Sequence, residues 1–186
     1  MARVKGSAVK ASIEYLRNEL SEGDFQRLQG ELRPEDAKIL FDPIIQSSWY
    51  ELSLIFRLME AAERYVQLPP GRTLGWEMGR ASVEYGMKTI YKVFFKVMDI
   101  HLIVKKAPQV LSTYYDSGSL EVIRAEDNRA VIHMTGFDQP DSRLCDRILG
   151  GMQRMAELAG GTDVVMTHPR CMAKGDPLCE YHGHWK

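Results

Sequence analysis

Residues 119–135 read SLEVIRAEDNRAVIHMT, and this stretch decides the fold. Apolar and polar side chains alternate in residues 119–125 and again in 129–135, which is the period of a half-buried β-strand. The polar residues at 126–128 between the two runs are typical of a hairpin turn. The stretch therefore predicts two antiparallel strands at the point where the helical pattern stops.

The chain on either side of this hairpin predicts the remaining elements. Before it, apolar residues recur at three- and four-residue steps, which predicts helices at 7–20, 23–32, 34–40, 49–66, 73–85, 88–97 and 100–114. After it, the pattern predicts a helix and two further strands, at 141–159, 163–167 and 179–185. We therefore expect an α+β protein whose helical N-terminal half packs on a four-stranded antiparallel sheet.

Length and composition favour a single domain over residues 1–186, with a helical part at about 1–115 and a strand-rich part at about 116–186. Lys and Arg number 24 against 25 Asp and Glu, so no basic field exists to attract nucleic acid. No apolar stretch reaches the roughly 20 residues of a membrane span, and the N-terminus does not resemble an export signal. We expect a cytoplasmic protein.

Three cysteines are the residues whose pattern suggests chemistry. Cys145 shares an apolar helical stripe with Ile148, and the predicted hairpin brings Cys179 back towards Cys171. His168 lies three residues before Cys171, and thiolate and imidazole donors together suit a structural zinc ion. The alternative is three buried thiols acting as small apolar side chains beside an exposed histidine.

The stretch 168–181, HPRCMAKGDPLCEY, resembles the C-terminal signature of the 4-vinyl reductase (V4R) domain family. The similarity extends upstream to Cys145 and to residues 114–118. It implies the fold of transport-protein-particle (TRAPP) subunits, which haem nitric-oxide-associated domains share. It also implies structural zinc held by Cys145, His168, Cys171 and Cys179. The family usually has a carboxylate where this chain has His168, so Glu180 or a water stays an alternative fourth ligand.

Aromatic residues of the helical half are candidates for a ligand pocket. We expect the pocket to be lined by Trp76, Tyr91, Phe94, Phe95 and Tyr114. Ordinary core packing is the alternative for each of these side chains. The basic residues of the helix at 141–159 are interpreted as a solvated face: Arg143, Arg147 and Arg154.

The resemblance implies a zinc-stapled sensing module that binds a small hydrophobic or aromatic molecule and acts through a protein partner. A TRAPP-like homodimeric adaptor without a ligand is the alternative. An accessory to tetrapyrrole vinyl reduction is a third, and an enzyme is disfavoured because no GxGxxG turn is present. Haem held by His101 or His133 is a further possibility, although the sequence singles out neither residue.

Overall fold

The described residues of the helical half form six helices and a small sheet. The computed structural model describes residues 1–89, 99–138 and 140–186. The helices are α1 (Gly6–Glu19), α2 (Glu22–Glu31), α3 (Pro34–Phe41), α4 (Leu52–Ala62), α5 (Leu74–Thr89) and α6 (Ile100–Tyr114). Two three-residue strands, β1 (Arg3–Lys5) and β2 (Trp49–Glu51), pair antiparallel beside α1 and α4.

The C-terminal part contains the main sheet and one long helix. Its elements are β3 (Ser119–Glu126), β4 (Arg129–Thr135), α7 (Ser142–Leu158), β5 (Val165–Arg170) and β6 (Cys179–His184). The strands are antiparallel in the order β3-β4-β6-β5, so the last strand in sequence lies inside the sheet. Buried side chains on β4 and β6 alternate with more exposed ones, which turns one face of the sheet towards the helices. The predicted α+β architecture with a four-stranded antiparallel sheet is confirmed.

The hairpin formed by β3 and β4 has the two-residue turn that its sequence favours. Glu126 pairs with Arg129, and Asp127 and Asn128 between them have φ angles of 50° and 57°. Asp and Asn tolerate this left-handed backbone better than most residues do, so they suit a two-residue hairpin turn.

The predicted helix at 49–66 is wrong at its start. Residues 49–51 form β2 instead, because Glu51 pairs across the small sheet with Arg3, a partner distant in sequence. Helix α4 follows from Leu52 and ends at Ala62. The helix predicted at 88–97 lies largely outside the described residues, since α5 is described to Thr89 and residues 90–98 are not.

Glycines let α5 and α7 pack closely together. A Cβ atom added at Gly79 would lie 2.0 Å from the carbonyl oxygen of Arg147, and one at Gly150 would lie 2.1 Å from that of Trp76. Real Cβ atoms do not approach this closely, so both positions exclude any larger residue unless the helices separate. The backbone of α7 therefore lies directly against α5.

No helix within the described residues combines the length and the apolar character needed to cross a membrane.

Candidate functional site

Three cysteines meet in the interior where α7 packs against the sheet. Cys145 lies on α7, Cys171 follows β5 and Cys179 opens β6. Their exposed fractions are 1%, 3% and 0%. The Sγ atom of Cys145 lies 3.5 Å from that of Cys179 and 3.7 Å from that of Cys171. His168 on β5 joins them, and one donor atom from each of the four residues lies within 4.8 Å of the others. We call these four residues the Cys3His cluster.

The turn between β5 and β6 brings two of the cysteines together. The backbone N–H of Cys171 donates to Oδ2 of Asp176 at 2.7 Å, and that of Met172 donates to Sγ of Cys179 at 3.3 Å. Gly175 ends the short 3-10 helix Met172–Lys174 with φ at 97°, a conformation that glycine adopts without steric cost. The local sequence thus returns the chain so that Cys179 lies beside Cys171.

Mutual hydrogen bonding and burial set the protonation of the cluster. A hydrogen bond from Cys145 lowers the pKa of Cys179 against the opposing effect of burial, and His168 lowers it further. The hydrogen bond to Cys179 and burial raise the pKa of Cys145. These contacts therefore favour the thiolate form at Cys179 over Cys145.

Two buried polar atoms beside the cluster lack a hydrogen-bond partner in the part of the chain that is described: Nε2 of His168 and Oη of Tyr181. The two rings stack with centroids 4.5 Å apart and planes 12° apart. Such orphaned atoms are uncommon in folded proteins and call for an explanation, which a bound ion or water would supply.

The sulfur spacing is compatible with a shared metal ion. A metal–thiolate bond of about 2.3 Å places the sulfurs of a tetrahedral site about 3.8 Å apart. The two sulfur–sulfur distances from Cys145 are 3.5 Å and 3.7 Å. Glu180, the alternative fourth ligand, is engaged elsewhere: it forms hydrogen bonds of 2.9 Å with His133 and 2.8 Å with His182.

A separate cavity of about 70 Å³, partly open to solvent, lies between the helices and the sheet. Side chains from α1, α5, α6, α7 and β3 form its wall, and most of them are apolar. A second cavity of about 30 Å³ extends towards Trp185 and shares Ala107, Met152 and Met155 with the first. The two cavities therefore adjoin along the same three side chains.

The interpretation of Arg147 as a solvated residue is wrong. Its side chain is 2% exposed and lies in the wall of the larger cavity. Gly150 and Gly151 follow it by three and four residues on the same helical face, and this small-residue pattern was the available signal of close packing. Arg143 and Arg154 are partly exposed and form ion pairs with Asp141 and Glu157.

The residues predicted to line a ligand pocket lie in different places. Tyr114 lines the larger cavity. Trp76 is buried against α7, and the guanidinium carbons of Arg72 and Arg80 lie 3.6 Å and 4.6 Å from its ring centroid. The other three lie outside the described residues: Tyr91, Phe94 and Phe95.

Comparison with known proteins shows the fold but no family. No family model matches the sequence, and no curated protein matches it. An H-NOX protein from S. oneidensis in the Fe(II) state superposes with a TM-score of 0.75 at 15% identity, over 98% of this chain and 96% of that one. An Fe(II) unliganded H-NOX protein from K. algicida gives 0.67 at 10%, over 98% and 96%. An oxygen-binding H-NOX domain related to soluble guanylate cyclases gives 0.68 at 13%, over 98% and 95%.

These structures overturn two expectations. The resemblance to the V4R family and the TRAPP-like fold is wrong, because the solved structures that share the architecture are H-NOX domains. The residues that carry the similarity, 114–118, Cys145 and 168–181, do not determine how the helices and the sheet are arranged. The expectation of structural zinc as the cofactor is also wrong, because the descriptions of the similar structures name Fe(II) and heme.

Proposed function

We propose that this chain is a sensing domain that binds a small apolar molecule in the cavity between its helices and its sheet. The observation that carries the proposal is the cavity of about 70 Å³ with its mostly apolar wall. Protein interiors normally contain few voids larger than a water molecule, and an apolar wall with a few polar groups is typical of a ligand pocket.

The shared fold supports the same use. The similar H-NOX structures are described in complex with NO, with CO and with oxygen. In this chain, α5 and α7 both line the cavity and also pack on each other through glycines. A ligand that changes the spacing of these two helices would alter the surface that they present, and the affinity of a protein partner for that surface would change with it.

Haem is the group that this fold implies, and the cavity wall would have to supply a ligand for its iron. All five histidines and three cysteines of the chain lie in the described residues. The Cys3His cluster takes four of them, and the remaining histidines line neither cavity: His101, His133, His182 and His184. His101 is exposed, and its ring centroid lies 5.9 Å from that of Trp185. The described part of the cavity wall offers no imidazole or thiolate, so a haem ligated by histidine or cysteine does not fit it.

Binding of n-alkanols from hexanol to tetradecanol tests the proposal. We expect saturable binding with one site per chain by isothermal titration calorimetry, and a thermal transition that rises with ligand concentration. Ala107→Phe fills both cavities from α6 and should weaken binding at least tenfold. Leu102→Phe, on the exposed side of the same helix, is the matched control and should bind like the wild type.

Two results would refute this assignment. One is the absence of saturable binding across the whole alcohol series, or equal binding by the Ala107→Phe and Leu102→Phe variants. The other is a Soret band that survives gel filtration after incubation with haemin and is lost in His101→Ala, since it would show an iron-containing ligand.

We further propose that the Cys3His cluster binds a metal ion that holds the β5–β6 turn against α7. The donor set, three buried sulfurs and one imidazole within 4.8 Å of one another, supports this role. Elemental analysis of protein purified without chelator should find one equivalent of a single transition metal, whichever it is. His168→Ala should lose it, whereas His182→Ala, an exposed histidine on β6, should retain it. Equal metal content in the two variants would contradict the site.

A further inference from the structure

Two charged side chains are fully buried among the described residues, and only one of them has an ion partner. Asp36 is 2% exposed and accepts hydrogen bonds of 2.7 Å from both Nε and Nη2 of Arg57. Arg147 is equally buried, yet no carboxylate lies within ion-pair distance of it in the part of the chain that is described. An unpaired buried charge is costly to a folded protein, so the contrast requires a reason.

The hydrogen bonds of Arg147 leave one end of its guanidinium free. Its Nη2 donates to the carbonyl oxygen of Ala8 and to Oγ of Ser82. Its Nη1 is buried and has no hydrogen-bond partner among the described residues. Both acceptors are neutral, so the positive charge of the side chain is not balanced by either contact. Arg147 and Ser82 both belong to the wall of the larger cavity.

We propose that the ligand of this cavity is an apolar carboxylic acid whose carboxylate binds Arg147. The inference rests on the proposed function, because it names the chemical class of the ligand for the same cavity. A carboxylate would supply the missing counter-charge and accept hydrogen bonds from the free N–H groups of Nη1. The surrounding side chains are suited to an aliphatic chain, since Val83, Leu111 and Ile148 lie in the same wall.

The test compares two probes that differ in one group, n-decanoate and n-decanol, by calorimetric titration at neutral pH. We expect the wild type to bind decanoate about ten- to a hundredfold more tightly than decanol, the range of a hydrogen bond to a charged group. Arg147→Met should abolish this preference, so that decanoate binds no more tightly than decanol, and measurable decanol binding would show that the cavity is intact.

Two further variants separate the charge from the local hydrogen bonds. Ser82→Ala removes one contact of Arg147 but keeps the guanidinium, so the preference for decanoate should remain. Arg147→Gln removes the charge but keeps an N–H donor, so it should lose the preference even if the Met variant does not fold.

The outcomes distinguish this inference from the function on which it rests. Equal wild-type affinity for the two probes, or a preference that survives in Arg147→Gln, would overturn the carboxylate assignment and leave the apolar cavity standing. Failure of both probes to bind would refute the proposed function itself.

Discussion

Replacing Gly150 by alanine should destabilise the protein, although alanine is the better helix former. A Cβ at Gly150 would lie 2.1 Å from the carbonyl oxygen and 2.8 Å from the carbonyl carbon of Trp76. These are backbone atoms that cannot rotate away, so α5 and α7 would have to separate by about 1 Å to restore normal contact. Overpacking of this kind costs about 1–3 kcal/mol, and the helix propensity of alanine recovers about 1 kcal/mol of it.

Gly151 provides the matched control on the same helix. A Cβ there would meet its nearest atom at 3.6 Å, an ordinary contact, so Gly151→Ala should be neutral or stabilise by up to about 1 kcal/mol. Urea unfolding gives both free energies, and unchanged slopes would show that the unfolded states are comparable. A Gly150→Ala variant as stable as Gly151→Ala would refute the close α5–α7 packing.

Two carboxylates that form ion pairs, Glu157 and Asp36, yield further predictions. Burial raises the pKa of Glu157, but the ion pairs with Arg80 and Arg154 lower it more, from 4.5 to about 2. Glu157 therefore stabilises the fold above about pH 4.5 and loses that contribution as the pH falls towards 2. In urea unfolding at several pH values across this interval, the free energy of unfolding of Glu157→Gln should fall less with pH than that of the wild type. An equal pH dependence of the free energy of unfolding in the two proteins would contradict this. Asp36→Ala leaves Arg57 unpaired and should cost about 3–5 kcal/mol by the same assay, whereas its exposed neighbour Glu35 should tolerate alanine; similar costs would disprove the buried pair.

Local patterns were sufficient for most of the fold. The strands at 119–125 and 129–135 agree with Ser119–Glu126 and Arg129–Thr135, because alternation and a polar turn are encoded within a few neighbouring residues. The small β1–β2 sheet escaped the sequence because its strands are three residues long and pair across some 45 positions. Strand β5 starts and ends later than predicted, since its pairing with β6 sets its limits.

The candidate sites divide along the same line. The Cys3His cluster could be predicted because its members occupy a turn, a strand and an apolar stripe that the sequence displays. Arg147 was missed, because a charged residue on an amphipathic helix is normally solvated, and the nearby Gly150 and Gly151 indicate close packing without showing that this side chain is buried. The family was misjudged because a similarity confined to 114–118, Cys145 and 168–181 was extended to the whole chain.

The position of β6 determines when the sheet can be completed. Strand β6 lies between β4 and β5 but follows both in the chain, so neither has its inner neighbour until β6 has left the ribosome. Until then the inner edge of β4 is open, with the side chains of Ile132 and Met134 that β6 later helps to bury. During synthesis, this edge is where a nascent chain would recruit a chaperone or pair with another copy.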